Sequence, residues 1–234
     1  MKKLSCLIPF LNEEEILEEN LKSHYSSLLK AGVDFEIVLI DSGSKDSSLG
    51  IAKEFSRKHN KVRVVEGDLQ SPSIARAFSL GIGNSSGEFL LLLPLDVSMA
   101  NTDLKEIDFS KKSGGYWVFQ KEYNSRSTYL NFYAKIQNSF RTKFLKSFVW
   151  TNGLIISRET LKSIEWPDYR FLDDVILSDR LRKVAKINVL NSRLIVDSRK
   201  YSSKGVVKQS FINVSIVFLF RTGLFNPKLL KRIY

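Results

Sequence analysis

The amino-acid sequence predicts an α/β domain with a mostly parallel central sheet flanked by helices. Three observations carry that expectation. Leu4–Ile8, Phe35–Ile40, Val62–Val65 and Phe89–Leu93 are short, continuous apolar runs, the pattern of strands buried on both faces. Apolar residues at helical spacing fill each gap between them. The resulting order, strand then helix repeated from Leu4 to Asp96, belongs to parallel sheets covered on both sides.

Taken in order, Pro9 ends the first strand. Asn12 reads as a helix cap and Glu13-Glu14-Glu15 as an acidic first turn, stabilised by the helix dipole. Ile16, Leu17, Leu21, Leu28 and Leu29 then recur at helical spacing, and Gly32 closes that helix. Asp41-Ser42-Gly43-Ser44 is a turn, and Asp46 caps a helix over 47–59. A third helix over 73–86 is broken by Gly87, and the fourth strand ends at Pro94-Leu95-Asp96. In the second half, Gly115–Gln120 and Gly153–Ile156 read as strands. Thr128–Phe140, Arg158–Ile164 and Asp173–Val184 read as helices. Residues 187–190 and 194–197 read as a hairpin around Asn191-Ser192. A basic, apolar helix is expected over 206–220. No internal repeat or linker divides the chain, so one domain with a C-terminal extension is expected.

The chain has 234 residues, 43% hydrophobic and 26% charged, which is enough to bury a sizeable core and argues against disorder. Cys6 is the one cysteine. It excludes an internal disulfide, reads as a small core residue, and fits a cytoplasmic setting. No secretory signal is expected, because the first apolar run is cut by Pro9. The longest later run, Phe211–Phe220, is about half of the roughly 20 residues a spanning helix needs. The formal net charge is +11, and residues 198–234 hold eight Lys or Arg with no Asp or Glu. Such a tail reads as a solvated face, a nucleic-acid surface or a surface meeting anionic lipid. The interleaved Phe211, Ile212, Val217, Phe218 and Phe220 favour peripheral membrane contact over nucleic acid, for which no binding motif is present.

Open parallel sheets bind ligands at the carboxyl ends of their strands. Pro9–Glu13, Asp41 and Asp96 all fall there. Asp41 reads either as an acceptor for a nucleobase or ribose or as a turn aspartate. Asp96 reads as a ligand for a divalent metal bridging a diphosphate or as a loop residue. Arg76 offers a fork of donors to phosphate or is a surface arginine. Asp173-Asp174 suits a helix N-terminus on dipole grounds alone. Alternatively, one of the pair is a general base that deprotonates an acceptor hydroxyl. No P-loop or dinucleotide-type glycine loop is present. His24 and His59 lack partners for zinc. Trp150 could meet a sugar or belong to the core.

These features, in this order, resemble the family 2 glycosyltransferases. The resemblance rests on Pro9-Phe10-Leu11-Asn12-Glu13, Asp41-Ser42-Gly43-Ser44-Lys45-Asp46, Ala75-Arg76 before Gly87-Glu88-Phe89-Leu90, and Phe171-Leu172-Asp173-Asp174. Ser198–Tyr201, Gly205-Val206 and Gly223–Pro227 extend it toward a small bacterial transferase-like subgroup. The resemblance implies a GT-A fold and an inverting hexosyltransferase of the cell-envelope polysaccharide kind. Residues 1–98 would be the nucleotide-binding half, 99–197 the acceptor and catalytic half, and 198–234 a basic extension. Pro9, Leu11, Glu13 and Asp41 would contact the base or ribose of a nucleotide-sugar donor, and Arg76 the diphosphate. Asp96 would bind Mg2+ or Mn2+. Asp174 would be the catalytic base toward a glycan or lipid-linked acceptor. The family's metal motif, Asp-x-Asp, reads Pro94-Leu95-Asp96 here, so its first carboxylate is absent. That departure leaves a second reading, a transferase-like protein that binds a nucleotide or glycan without turning it over.

Overall fold

The computed structural model describes residues 3–67, 73–100, 102–110, 114–168, 172–198 and 215–224. Strands β1 (Leu4–Phe10), β2 (Phe35–Asp41), β3 (Val62–Glu66) and β4 (Phe89–Leu92) alternate with helices α1 (Leu17–Lys30), α2 (Ser48–Lys58) and α3 (Ile74–Gly83). A two-residue β5 (Val97–Ser98) precedes the long β6 (Gly115–Tyr123). Then come α4 (Thr128–Ile136), continued by π-helical turns over Gln137–Phe144, and β7 (Leu154–Ser157). The short α5 (Arg158–Lys162), α6 (Asp173–Val184) and β8 (Lys186–Val196) complete the order.

The strands form one sheet, ordered β3-β2-β1-β4-β7-β6-β8-β5. The pairs among β1 to β4 are parallel, as the apolar runs predict. β7 lies antiparallel to β4 and to β6, whereas β8 runs parallel to β6. Alternate residues of the central strands feed two cores. Cys6, Ile8, Phe10, Ile37 and Leu39 pack with Leu17, Leu21, Leu28 and Phe55 of α1 and α2. Leu7, Val38 and Ile40 pack on the other face with Ala75, Phe78, Leu177 and Leu181 of α3 and α6.

Three local expectations change. Asn12 does not cap α1, which begins only at Leu17. It adopts a φ of 53°, and its side chain accepts from Lys45 N at 2.8 Å. The loop after β1 is thereby tied to the loop after β2. The expected hairpin around Asn191-Ser192 is a bulge inside one strand, because β6 pairs with β8 on both sides of a register shift. The bulged amides would be orphaned, but Glu106 accepts from Asn191 N at 2.9 Å and from Ser192 N at 3.1 Å. The helix expected over 128–140 turns π-helical at Gln137 and runs on to Phe144. Of the expected 206–220 helix, residues 215–221 are helical and residues 206–214 lie outside the described residues. Among the described residues, no helix is long and apolar enough to cross a membrane.

Candidate active site

A cleft of about 300 Å³ opens where the parallel strands end, between the loop after β1, the start of α3 and the turn after β4. Pro9, Leu11 and Glu13 line it from β1, Ser42 from β2, Ser73 and Ala77 from α3, and Pro94 and Asp96 from β4. The loops are held by hydrogen bonds between distant residues. Glu13 N donates to Ser48 Oγ at 2.9 Å, Glu14 N to Asp46 Oδ2 at 3.2 Å, and Ser47 N to Glu14 Oε2 at 2.9 Å. The acidic run after Asn12 therefore organises the rim of the cleft as well as approaching a helix start.

Asp41 is 3% exposed. Its carboxylate accepts from Gly43 N at 3.1 Å and from Ser44 N at 3.1 Å, which shapes the turn beside Ser42. Gly43 has a φ of 92°, a conformation glycine adopts without strain. Arg76 is not brought into the cleft. Its guanidinium donates to Asp168 at 2.7 Å, and that partner raises its pKa further.

Asp173 and Asp174 have different surroundings. Asp173 is buried, and its Oδ2 accepts from Ala75 N at 3.2 Å in the first turn of α3. It therefore fastens α6 to α3. Burial, with the neighbouring Asp174 charge, pushes its carboxyl up to about 7 despite those hydrogen bonds. Asp174 is half-buried. Burial raises its pKa, while the Arg141 and Lys121 cations and the Val175 amide pull the other way.

Lys121 is the residue that sequence reasoning missed. It lies on β6 and is 2% exposed. Its ammonium donates to Thr151 Oγ1 at 3.3 Å. Burial and the Arg141 charge bring its pKa down to about 7, against the opposing pull of Asp174 and Asp96. This one cation thus feels both the carboxylate at the cleft and the carboxylate that opens α6. A readable signal existed: Lys121 shares a strand face with Trp117, Phe119 and Tyr123, where a charge is costly unless compensated. Trp150 is a buried core residue whose ring centroid lies 4.8 Å from that of Phe78, the two planes tilted by 45°.

A family model described as glycosyl transferase family 2 matches residues 5–164. A cholesterol galactosyltransferase of Borreliella burgdorferi is 23% identical over 96% of this chain and 69% of its own length. A poly(ribitol-phosphate) beta-glucosyltransferase of Bacillus spizizenii is 30% identical over 47% of this chain and 18% of its own. Among solved structures, S. aureus TarS 1-349 in complex with UDP aligns with a TM-score of 0.66 at 19% identity, over 83% of this chain and 60% of that one. The mannosyltransferase PcManGT from Pyrobaculum calidifontis, in complex with GDP-Man and Mn2+, aligns with a TM-score of 0.64 at 15% identity, over 82% and 56%. The chain spans about 60% of the solved TarS chain. The shared architecture is the GT-A fold.

Proposed function

The chain belongs to glycosyl transferase family 2, and from that premise we propose that it moves a hexose from a nucleotide-sugar to an acceptor hydroxyl with inversion at the anomeric carbon. The observation that carries the reading is the cleft at the strand ends, with Asp96 on its wall and the buried Lys121 under the pull of both Asp96 and Asp174. In this reading Pro9, Leu11 and Glu13 receive the nucleoside, and the turn held by Asp41 shapes its pocket. Arg76 would have to leave Asp168 to reach a diphosphate. Residues 1–98 serve as the nucleotide half, 99–197 as the acceptor half and 198–234 as a basic extension. UDP and GDP sugars are the donors to try first, since relatives of this fold are solved with UDP, UDP-GlcNAc and GDP-Man. A cytoplasmic setting and a lipid-linked or cell-envelope glycan acceptor complete the proposal.

Asp174 is the base. Its raised pKa makes it a stronger proton acceptor than an ordinary aspartate. The acceptor O–H proton passes to the Asp174 carboxylate as the acceptor oxygen bonds to the anomeric carbon. The bond from that carbon to the phosphate oxygen breaks, and its electron pair leaves with the nucleoside diphosphate. Asp173 accepts from the α3 amide, so in this reading it positions Asp174.

The donor set at the cleft fits a divalent ion that comes in with the nucleotide. Asp96 supplies one carboxylate and Pro94 supplies none. Among the described residues no group of three metal-ligating side chains stands ready. Mg2+ is commonly held by one or two carboxylates with substrate phosphates and water completing the shell. Asp96 would hold Mg2+ or Mn2+, and the ion would stabilise negative charge on the departing diphosphate.

Pro94 favours a second reading, a nucleotide- or glycan-binding protein without turnover. A thermal-shift panel of nucleoside diphosphates and nucleotide-sugars, with and without Mn2+, tests the donor site. The proposal expects one base to stabilise the chain selectively, with a larger shift in Mn2+. A flat panel would remove the nucleotide-sugar reading.

A further inference from the structure

α4 and the π-helical turns after it form one continuous helical rod from Thr128 to Phe144. Its inner face is settled: Leu130, Ala134, Gln137, Asn138 and Thr142 are buried. Its outer face carries Tyr129, Phe132, Ile136, Phe140 and Phe144, all exposed. Phe132 is 61%, Phe140 55% and Phe144 73% exposed. The Phe140 and Phe144 rings stack on each other at 5.5 Å. A water-facing helix ordinarily shows charge there, and an apolar stripe of this length marks an interaction surface.

The charges along the rod's own sequence have one sign. No Asp or Glu occurs between Glu122 and Glu159, whereas Arg126, Lys135, Arg141, Lys143 and Lys146 all fall within the rod or at its ends. A second copy of this face would set cation against cation. A single-stranded nucleic acid would seek a groove, and this is the outer face of a helix. Rings backed by ammonium and guanidinium groups match the boundary of an anionic bilayer, where rings enter the acyl edge and cations meet phosphates.

We propose that the Thr128–Phe144 rod is a membrane-docking surface for anionic lipid. The basic tail over 198–234 is the expected place for such contact. Among its described residues it exposes the Phe218 ring, whereas the rod exposes Tyr129, Phe132, Phe140 and Phe144 along one face. The rod also backs onto the active-site cluster. Lys121 N donates to Asn138 Oδ1 at 3.0 Å, and Asn138 Nδ2 donates to Lys121 O at 2.8 Å. Arg141 acts electrostatically on Asp174. Docking through this face would therefore hold a lipid-borne acceptor close to Asp174; that last step rests on the proposed transferase reading, and the surface itself does not.

The test is flotation of the full chain with vesicles of phosphatidylcholine alone or mixed with phosphatidylglycerol. The wild type floats with the anionic vesicles, and salt weakens the binding. Phe132→Ser/Phe140→Ser/Phe144→Ser lowers vesicle binding by at least about tenfold. Its melting temperature and its donor hydrolysis in vesicle-free buffer stay near wild type. Lys135→Gln/Lys143→Gln/Lys146→Gln loses the preference for phosphatidylglycerol. Lys228→Gln/Lys231→Gln/Arg232→Gln in the tail leaves binding intact. The proposal is overturned if the triple Phe variant floats like the wild type, if the wild type stays with the soluble fraction, or if the tail variant alone abolishes flotation. A wild-type dimer in sedimentation that the triple Phe variant turns monomeric would assign the stripe to a subunit interface and overturn it as well. Flotation needs no turnover, so a chain that floats without hydrolysing any donor fails the transferase reading and keeps this one.

Discussion

Glu36 and Asp173 are both buried carboxylates, one in each half of the molecule, and the fold treats them in opposite ways. Glu36 stands at the amino-terminal edge of the parallel strands. It accepts from Ser5 Oγ at 2.7 Å, Ser86 N at 2.7 Å and Ser86 Oγ at 2.9 Å, with Lys3 and Arg63 nearby. Burial alone would raise its pKa, but the hydrogen bonds and the Lys3 charge reverse that and bring it to about 2. Asp173 also accepts hydrogen bonds, yet burial and the adjacent Asp174 leave it near 7. Lys121, in the same neighbourhood, is displaced downward toward the same pH. The lesson is that charge at the amino edge is fully compensated and serves stability. Charge at the other edge is left under-compensated, where groups poised near neutrality can move protons.

The largest expected effect breaks the second half of that contrast. Asp174→Asn lowers nucleoside diphosphate release in the presence of acceptor by about a thousandfold. Its donor-induced thermal shift stays at the wild-type value. Full activity in that variant would show that Asp174 is not the base.

The first half breaks through packing. A Cβ at Gly87 would sit 2.6 Å from Ser5 N and 2.8 Å from Lys3 O, both backbone atoms that cannot step aside. Gly87→Ala therefore costs about 3 kcal/mol in urea denaturation. Removing the adjacent charge is milder. Glu36→Gln costs about 2 kcal/mol at neutral pH, because charge-assisted hydrogen bonds become neutral ones. The sign over pH follows from a folded pKa below the unfolded value of 4.5. Glu36 contributes fully above pH 4.5 and loses its contribution as pH falls toward 2. The stabilities of wild type and Glu36→Gln should converge in acid, and a constant gap would contradict the pairing.

Lys121→Met sharpens the comparison with the smallest effect. Taking away the cation raises the Asp174 pKa further, so the acid limb of the pH–rate profile moves to higher pH. Stability gives a second readout. Lys121 titrates at about 7 when folded and near 10.5 when unfolded. The unfolded chain therefore binds more protons between those values, and wild-type stability rises with pH across that window. Lys121→Met removes that rise. An unchanged pH–rate profile together with an unchanged stability slope would place Lys121 outside the electrostatic cluster.

The contrast also explains what was legible in the sequence. β1 to β4 were readable because each is a continuous apolar run, and the parallel pairing follows from that pattern. The cleft residues Pro9, Leu11, Glu13 and Asp96 were readable because strand ends are local features. What escaped depends on partners far along the chain. Asn191-Ser192 looks like a turn until Glu106 is seen to accept its amides. Asn12 looks like a cap until Lys45 is found on its side chain. Arg76 reads as a phosphate ligand, and its ion pair with Asp168, 92 residues away, is a partner the sequence does not reveal. Asp173 and Asp174 are adjacent in sequence, and the hydrogen bond that Asp173 accepts from the α3 amide, 98 residues away, gives the two different surroundings. Lys121 was hidden by its length, since a lysine at the end of a strand run ordinarily reaches solvent.

The claim that this family 2 chain turns over its donor, despite Pro94, is tested most directly by nucleoside diphosphate release. A panel of UDP- and GDP-sugars is incubated with the wild-type protein and Mn2+, and released UDP or GDP is quantified over time. The account predicts multiple-turnover release from sugars of one nucleotide, the same one that stabilises the chain in the thermal-shift panel. Selective stabilisation with no release from any donor would contradict it and leave a protein that binds nucleotide-sugars without transferring them.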